Sequence, residues 1–368
     1  MSEYQYYEFA AVDRPLGDRD LDALRGLSTR AHITPTSFVN TYEWGSFSGD
    51  PRRLVERYFD AFLYLANWGT RELIVRLPAR LVDPDIAQRY CSGDAVSAWT
   101  TGDHVVIAAV SEDEEGDFDW GGEGVLASIL PVRAELLAGD VRALYLLWLL
   151  GVQVGEVPDD AVEPPVPASL DHLSGSQTAL VEFLRIDRDL VEVAAVASPS
   201  MHEAGVDVAR WVAGLSGSER DALLVGLLEG GDPLLRAETL RRAGPGRRDG
   251  AGVRTAAELL DQASGQRERR EQAERDRRAA RSAESARWAE VARRERLAGL
   301  AAEGDGAWAR VAARIAEKNS SGYDVAVDLL VDLREVCDPA VFASRLKYLR
   351  REHGRKVTFV ERLGHAGL

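Results

Sequence analysis

Aromatic and β-branched residues crowd positions 4–12, and Leu21, Leu24 and Leu27 then recur at helical spacing across residues 18–27. The first pattern is that of a strand and the second that of an amphipathic helix, so the chain opens with a βα unit. Residues 36–44 read as extended. Asp50 and Pro51 then mark a helix start: an aspartate oxygen accepts an orphan backbone N–H, and proline has no N–H to lose at the first helical position. Leu54, Tyr58, Phe62 and Leu65 fall on one face of that helix, which is expected to stop near Trp68 and Gly69. Residues 71–77 form a strand that Pro78 ends, and residues 95–100 and 104–110 form a hairpin around Thr101, Gly102 and Asp103. With helices over residues 123–154, this alternation predicts an α+β chain whose first part, residues 1–155, is a mixed α/β sheet domain with mixed strand directions.

Past this point the β pattern fades. Residues 156–173 are acidic and proline-rich, the composition of a linker. Residues 174–250 read as a helical domain, with amphipathic segments at 177–184, 190–197, 206–215 and 218–228 and with Ser216 and Glu219 spaced as a capping box. The glycine and arginine cluster at 244–250 reads as a loop. A long charged helix is expected over 251–302, where Glu271 and Arg275, Glu274 and Arg278, and Glu290 and Arg294 stand four apart with the acid first, the favourable order. Large apolar residues are scarce in it before Trp288, so residues 266–286 should stand partly in solvent, and the seam is too poor for a strong coiled coil. Residues 303–368 complete the chain as a C-terminal helical module.

That module carries the runs AWARVAARIAEKNSSGYDVAVDLLVDL and FASRLKYLRREHGRKVTFVERLGHAGL. In the spacing of Tyr323, Leu329, Leu333, Phe342, Leu346, His353, Arg355, Lys356 and Leu363, about the last hundred residues resemble the C-terminal helical region of bacterial, mainly actinobacterial, SWIM zinc-finger proteins. The resemblance implies a helical hairpin that serves as an interaction module. A SWIM finger itself needs a Cys-x-Cys pair followed by Cys-x-His, because a closed zinc site takes four ligands. Cys91 and Cys337 have no such partners, so the zinc-dependent role is not implied here.

Composition narrows the setting. Apolar residues make up 45% and charged residues 29% of the 368 positions, ordinary globular usage. Two isolated cysteines exclude a disulfide framework and suit a reducing cytoplasm. The first twenty residues lack the apolar core of a signal peptide, and the most apolar window, residues 141–154, is too short for a membrane span of roughly 20 residues. The net charge of −15 is uneven: residues 1–160 hold 27 acidic against 13 basic side chains, whereas residues 265–300 hold 11 arginines against 7 acids.

Candidate chemistry is sparse. The six histidines form no His-x-x-x-His pair, and the acidic run at 112–119 does not follow the ligand order of a calcium loop. Phe47 stands where a nucleophile elbow needs serine, and Gly244 and Gly246 follow no strand and lack the third glycine of a dinucleotide fingerprint. No catalytic residue, metal or cofactor is implied. Two binding surfaces are. Trp44 and Trp68 are expected to bracket a helix bearing Arg53 and Arg57, beside Arg52 and Tyr58, and Arg345, Lys347, Arg350, Arg351, Arg355 and Lys356 form the densest basic stretch of the C-terminus. The expected function is a non-catalytic cytoplasmic interaction or scaffold protein with a protein partner and no membrane contact. A nucleic-acid-associated protein using the arginine-rich C-terminal helices, and an enzyme whose site lies unrecognised in residues 1–155, remain as alternatives.

Overall fold

The computed structural model describes residues 4–113, 121–199, 208–229, 234–243 and 251–368. It divides into two compact units, Met1–Arg269 and Arg270–Leu368. The first begins with β1 (Gln5–Ala10), α1 (Asp18–Leu27), β2 (His32–Thr34), β3 (Ser37–Tyr42), α2 (Pro51–Arg57), β4 (Ala61–Ala66), β5 (Arg71–Pro78), α3 (Pro84–Gln88), β6 (Val96–Thr101) and β7 (His104–Ser111). The strands form one seven-stranded sheet in the order β2-β3-β1-β4-β5-β7-β6, and every pairing is antiparallel. The expected mixture of strand directions is therefore corrected, while the α+β class stands. β2–β3, β4–β5 and β6–β7 are joined by tight turns, whereas β1–β3, β1–β4 and β5–β7 pair across intervening elements.

Because side chains alternate along a strand, each face of the sheet carries its own apolar set. Tyr7, Phe9, Phe38, Phe62 and Ile74 pack under α1 and α2 with Leu24, Leu54 and Val55. Tyr6, Leu63, Leu65, Leu73, Val75 and Ile107 face the other way, against α4 (Val125–Ile129), α5 (Pro131–Leu137), α6 (Arg142–Gln153), α7 (Gly175–Phe183) and α8 (Arg188–Ala195). β4 and β5 are buried on both faces, which is why their sequences, AFLYLA and RELIVRLP, are nearly continuous apolar runs.

The sequence reading extended α2 through Phe62 and Leu65 to Trp68. In the structure α2 ends at Arg57, and β4 begins after Asp60. Asp50 caps α2 as expected, accepting the Arg53 N–H. Helical spacing of Leu54, Tyr58, Phe62 and Leu65 is shared by a short helix followed by a buried strand, and pairing of β4 between β1 and β5 decides between them. β2, only three residues long, gave no pattern to read.

Residues 156–173, expected as a linker, contribute Val157, Val166 and Leu170 to the same core as the sheet. Glu163 lies buried within this stretch and holds Arg254 by two hydrogen bonds of 2.8 Å, while Tyr145 donates to it at 2.7 Å. Arg254 also donates to the carbonyls of Val193 and Ala194 at the end of α8. A Cβ on Gly252 would lie 1.9 Å from the Glu163 carbonyl oxygen, so this close approach requires glycine. α9 (Val208–Gly214), α10 (Gly217–Glu229) and α11 (Leu235–Ala243) precede this latch, and the Ser216–Glu219 capping box forms as expected. Residues 114–119 of the acidic run at 112–119, and the cluster expected as a loop at 244–250, lie outside the described residues.

α12 (Ala256–Glu303) starts at a second capping box, between Thr255 and Glu258. Ion pairs join Glu271 to Arg275 and Glu290 to Arg294 along it. In the second unit α12 is followed by α13 (Asp305–Ala316), α14 (Ser320–Val336), α15 (Pro339–His353) and α16 (Val357–His365). Leu300, Val311, Ile315, Leu330, Phe359 and Leu363 lie at the centre of its core. Asn319 and Asp338 cap α14 and α15, and Pro339 occupies the first turn of α15. No helix of the described residues is long and apolar enough to cross a membrane.

Candidate functional site

Of the N-terminal candidates, Trp44, Arg53 and Arg57 are each engaged by a different neighbour. Trp44 follows β3, is 67% exposed and lies under the Arg30 guanidinium. Trp68 sits in the turn between β4 and β5, so the two tryptophans do not bracket a single helix. On α2, Arg53 pairs with Asp50 at 3.3 Å and the Arg57 guanidinium lies 4.9 Å from the Tyr58 ring centre. Arg52 instead stacks over Trp99, whose indole N–H donates to Glu56 at 2.7 Å.

The strongest electrostatic feature of the first unit is one that sequence reading missed. Asp60 is buried where β1 ends and β4 begins, and accepts the backbone N–H groups of Val12 and Asp13 and a hydrogen bond of 2.8 Å from Arg76. Arg133, from α5, pairs with Asp13 and donates to the Arg76 carbonyl oxygen. Burial alone would raise the Asp60 carboxyl, but the Asp13 N–H, Arg76, Arg133 and the Val12 N–H together hold it below the usual carboxylate range. The same balance, with Arg254 and Tyr145 against burial, lowers Glu163. Burial and Arg76 lower the pKa of His104. These groups partner one another, and what the arrangement does is fasten α5 and the strand ends together. Its local sequence signal is slight: Arg76 is a charge within the otherwise apolar end of β5, Asp13 and Asp60 flank strand ends, and Arg133 lies in α5.

Cys91 and Cys337 are free thiols, and burial pushes Cys91 up. Among the described residues no group of three or more His, Cys, Asp and Glu side chains is placed to hold a metal ion.

The C-terminal basic stretch splits in two. Phe342, Leu346, Leu349 and His353 recur on the packed side of α15, as residues three and four apart share a helix face. Arg345 lies near that side, pairs with Asp305 and covers the Trp308 ring. Lys356 donates to the Ile315 carbonyl at 3.0 Å. Both therefore hold the bundle together. Lys347, Arg350, Arg351 and Arg355 are exposed, and none has a carboxylate within 4.0 Å among the described residues. Tyr348 stands among them, 57% exposed, with the Arg351 guanidinium over its ring. Other arginines of this unit behave differently: Arg293, Arg296, Arg310 and Arg362 each meet a carboxylate. Burial and the neighbouring Lys356 lower the pKa of His353, so the underside of α15 favours the neutral imidazole.

Comparison with known proteins gives no match, whether to a family model, a curated protein or a solved structure.

Proposed function

We propose that the protein is a non-catalytic, cytoplasmic interaction or scaffold protein, with the outer face of α15 as its docking surface for an acidic region of a partner protein. The observation that carries this reading is the exposure of Lys347, Arg350 and Arg351 on α15 and of Arg355 in the turn just after it, with Arg351 over exposed Tyr348 and no carboxylate among the described residues within 4.0 Å of the four cations. Arginine and tyrosine are, with tryptophan, the side chains enriched where interfaces concentrate their binding energy. Residues 270–368 hold 20 basic against 16 acidic side chains, whereas residues 1–269 hold 25 against 44. The long-range field of so acidic a chain opposes a polyanion more than it opposes a protein with a local acidic patch, and this favours the protein partner.

Nucleic acid is the second reading, favoured by one feature: an exposed tyrosine among four cations offers a stacking surface beside phosphate contacts. Affinity capture from native cytosol separates the two, using the wild-type chain and the variant Lys347→Glu, Arg350→Glu, Arg351→Glu, Arg355→Glu, with and without nuclease. A protein retained after nuclease and lost from the variant is the expected result. Capture of nucleic acid that falls with salt at a log–log slope of about −0.7 per phosphate contact would select the second reading. Equal capture by wild type and variant would remove α15 from both.

A further inference from the structure

A cavity of about 630 Å³ opens in the first unit between the first turn of α2, the end of the sheet where β6 starts and β7 finishes, and the turn after α6. Ala95 and Val110 form its floor and are tied by a backbone hydrogen bond of 2.8 Å. Asp94 precedes this pair and Glu112 follows it, so antiparallel pairing brings both carboxylates to one end of the sheet. Arg52 approaches from α2, where its stacking on Trp99 fixes it. All three charged groups are exposed at the rim, and none has an ion-pair partner within 4.0 Å among the described residues. Inside, Ser97 Oγ is shielded from solvent and makes no hydrogen bond. The remaining acid, Glu156, is committed: it accepts the Ala95 N–H at 2.7 Å, and a Cβ on Gly93 would lie 2.9 Å from it.

We infer that this cavity binds a zwitterionic α-amino acid. Arg52 would take the carboxylate through its fork of N–H donors, Asp94 and Glu112 the ammonium, and Val110 and Val154 the side chain. Ligand charge of both signs is required by the arrangement. A simple anion meets the carboxylates of Asp94, Glu112 and Glu156, and a simple cation leaves Arg52 unmatched. The volume lies within the roughly 300–1,000 Å³ of small-molecule sites. Glu72, beside Val110 in the sheet register, reports the reach of Arg52: burial raises its carboxyl and Arg52 lowers it.

The test is the midpoint of the first unit's thermal transition in the full chain, followed by calorimetry and titrated with each free L-amino acid and with its N-acetyl and amide derivatives. At least one amino acid should raise the midpoint saturably. Its two derivatives should bind roughly 10- to 100-fold more weakly, the range expected when one hydrogen-bonded charge is lost. The variants Arg52→Met and Asp94→Asn should each weaken the free amino acid similarly, with circular dichroism establishing that both fold. Because the two changes lie at opposite sides of the cavity, either variant alone suffices as a control if the other does not fold. No saturable shift with any amino acid would overturn the inference. So would derivatives, or folded variants, that bind as well as the parent.

Discussion

Asp60 shows how much a single side chain can hold. Replacing it with Asn keeps the shape but leaves Arg76 without its buried anion, while Arg133 keeps Asp13, and breaking a buried pair in this way costs about 3–5 kcal/mol. Urea unfolding of Asp60→Asn should show that loss, while an Asp85→Asn control on α3 should show little. The pH dependence has a definite sign. Asp60 and Glu163 have lowered pKa values in the folded state, so their stabilisation is complete above the unfolded carboxylate pKa of about 4 and is lost as pH falls through the folded values. His104 and His353 are also lowered, so they add a loss that begins as pH falls below about 6.5. Glu8 and Glu72, raised by burial, act in the opposite sense in wild type and variant alike, so in unfolding midpoints measured from pH 8 to pH 3 the acid loss should be shallower in Asp60→Asn than in wild type. At this scale the sequence revealed the residues whose partners are local. Asp50 capping α2 needs only Pro51 and Arg53 nearby, but the partners of Asp60 stand at positions 12, 13, 76 and 133, which only the fold brings together.

Elements with a local signature were legible and those fixed by pairing were not. α1 and the β6–β7 hairpin lie where Leu spacing and the Gly102 turn put them. β4 was hidden because an apolar run of six residues suits a buried strand and a helix equally, and its two neighbours in the sheet decide. Leu63→Ala tests that placement: in β4 it opens a cavity in the core on the α4–α8 side and should cost about 2–5 kcal/mol in urea unfolding. Tyr64→Ala, on the opposite face and only partly buried, should cost less. The proline-rich stretch at 156–173 was misleading for a different reason. Its composition is that of a linker, but Glu163 and Gly252 lock it against Arg254. Gly252→Ala should release that lock, since no side-chain movement can clear a backbone oxygen 1.9 Å away. The expected readout is faster amide exchange at Glu163 and Arg254, which donate to one another's segment.

For the whole molecule, two compact units predict unfolding that is not two-state, since each has its own core. Calorimetry should resolve two transitions, and Arg254→Ala should lower one of them. The candidate surface was legible only as a basic run; its division into structural Arg345 and Lys356 and exposed Lys347, Arg350, Arg351 and Arg355 depends on packing against Asp305 and Ile315. The central claim is that α15 is where a partner docks, and hydrogen exchange on the captured complex tests it most directly. Slowed exchange across Pro339–His353 relative to the free chain, with α14 and α16 unchanged, is the predicted result; unaltered exchange in α15 together with protection elsewhere would contradict it.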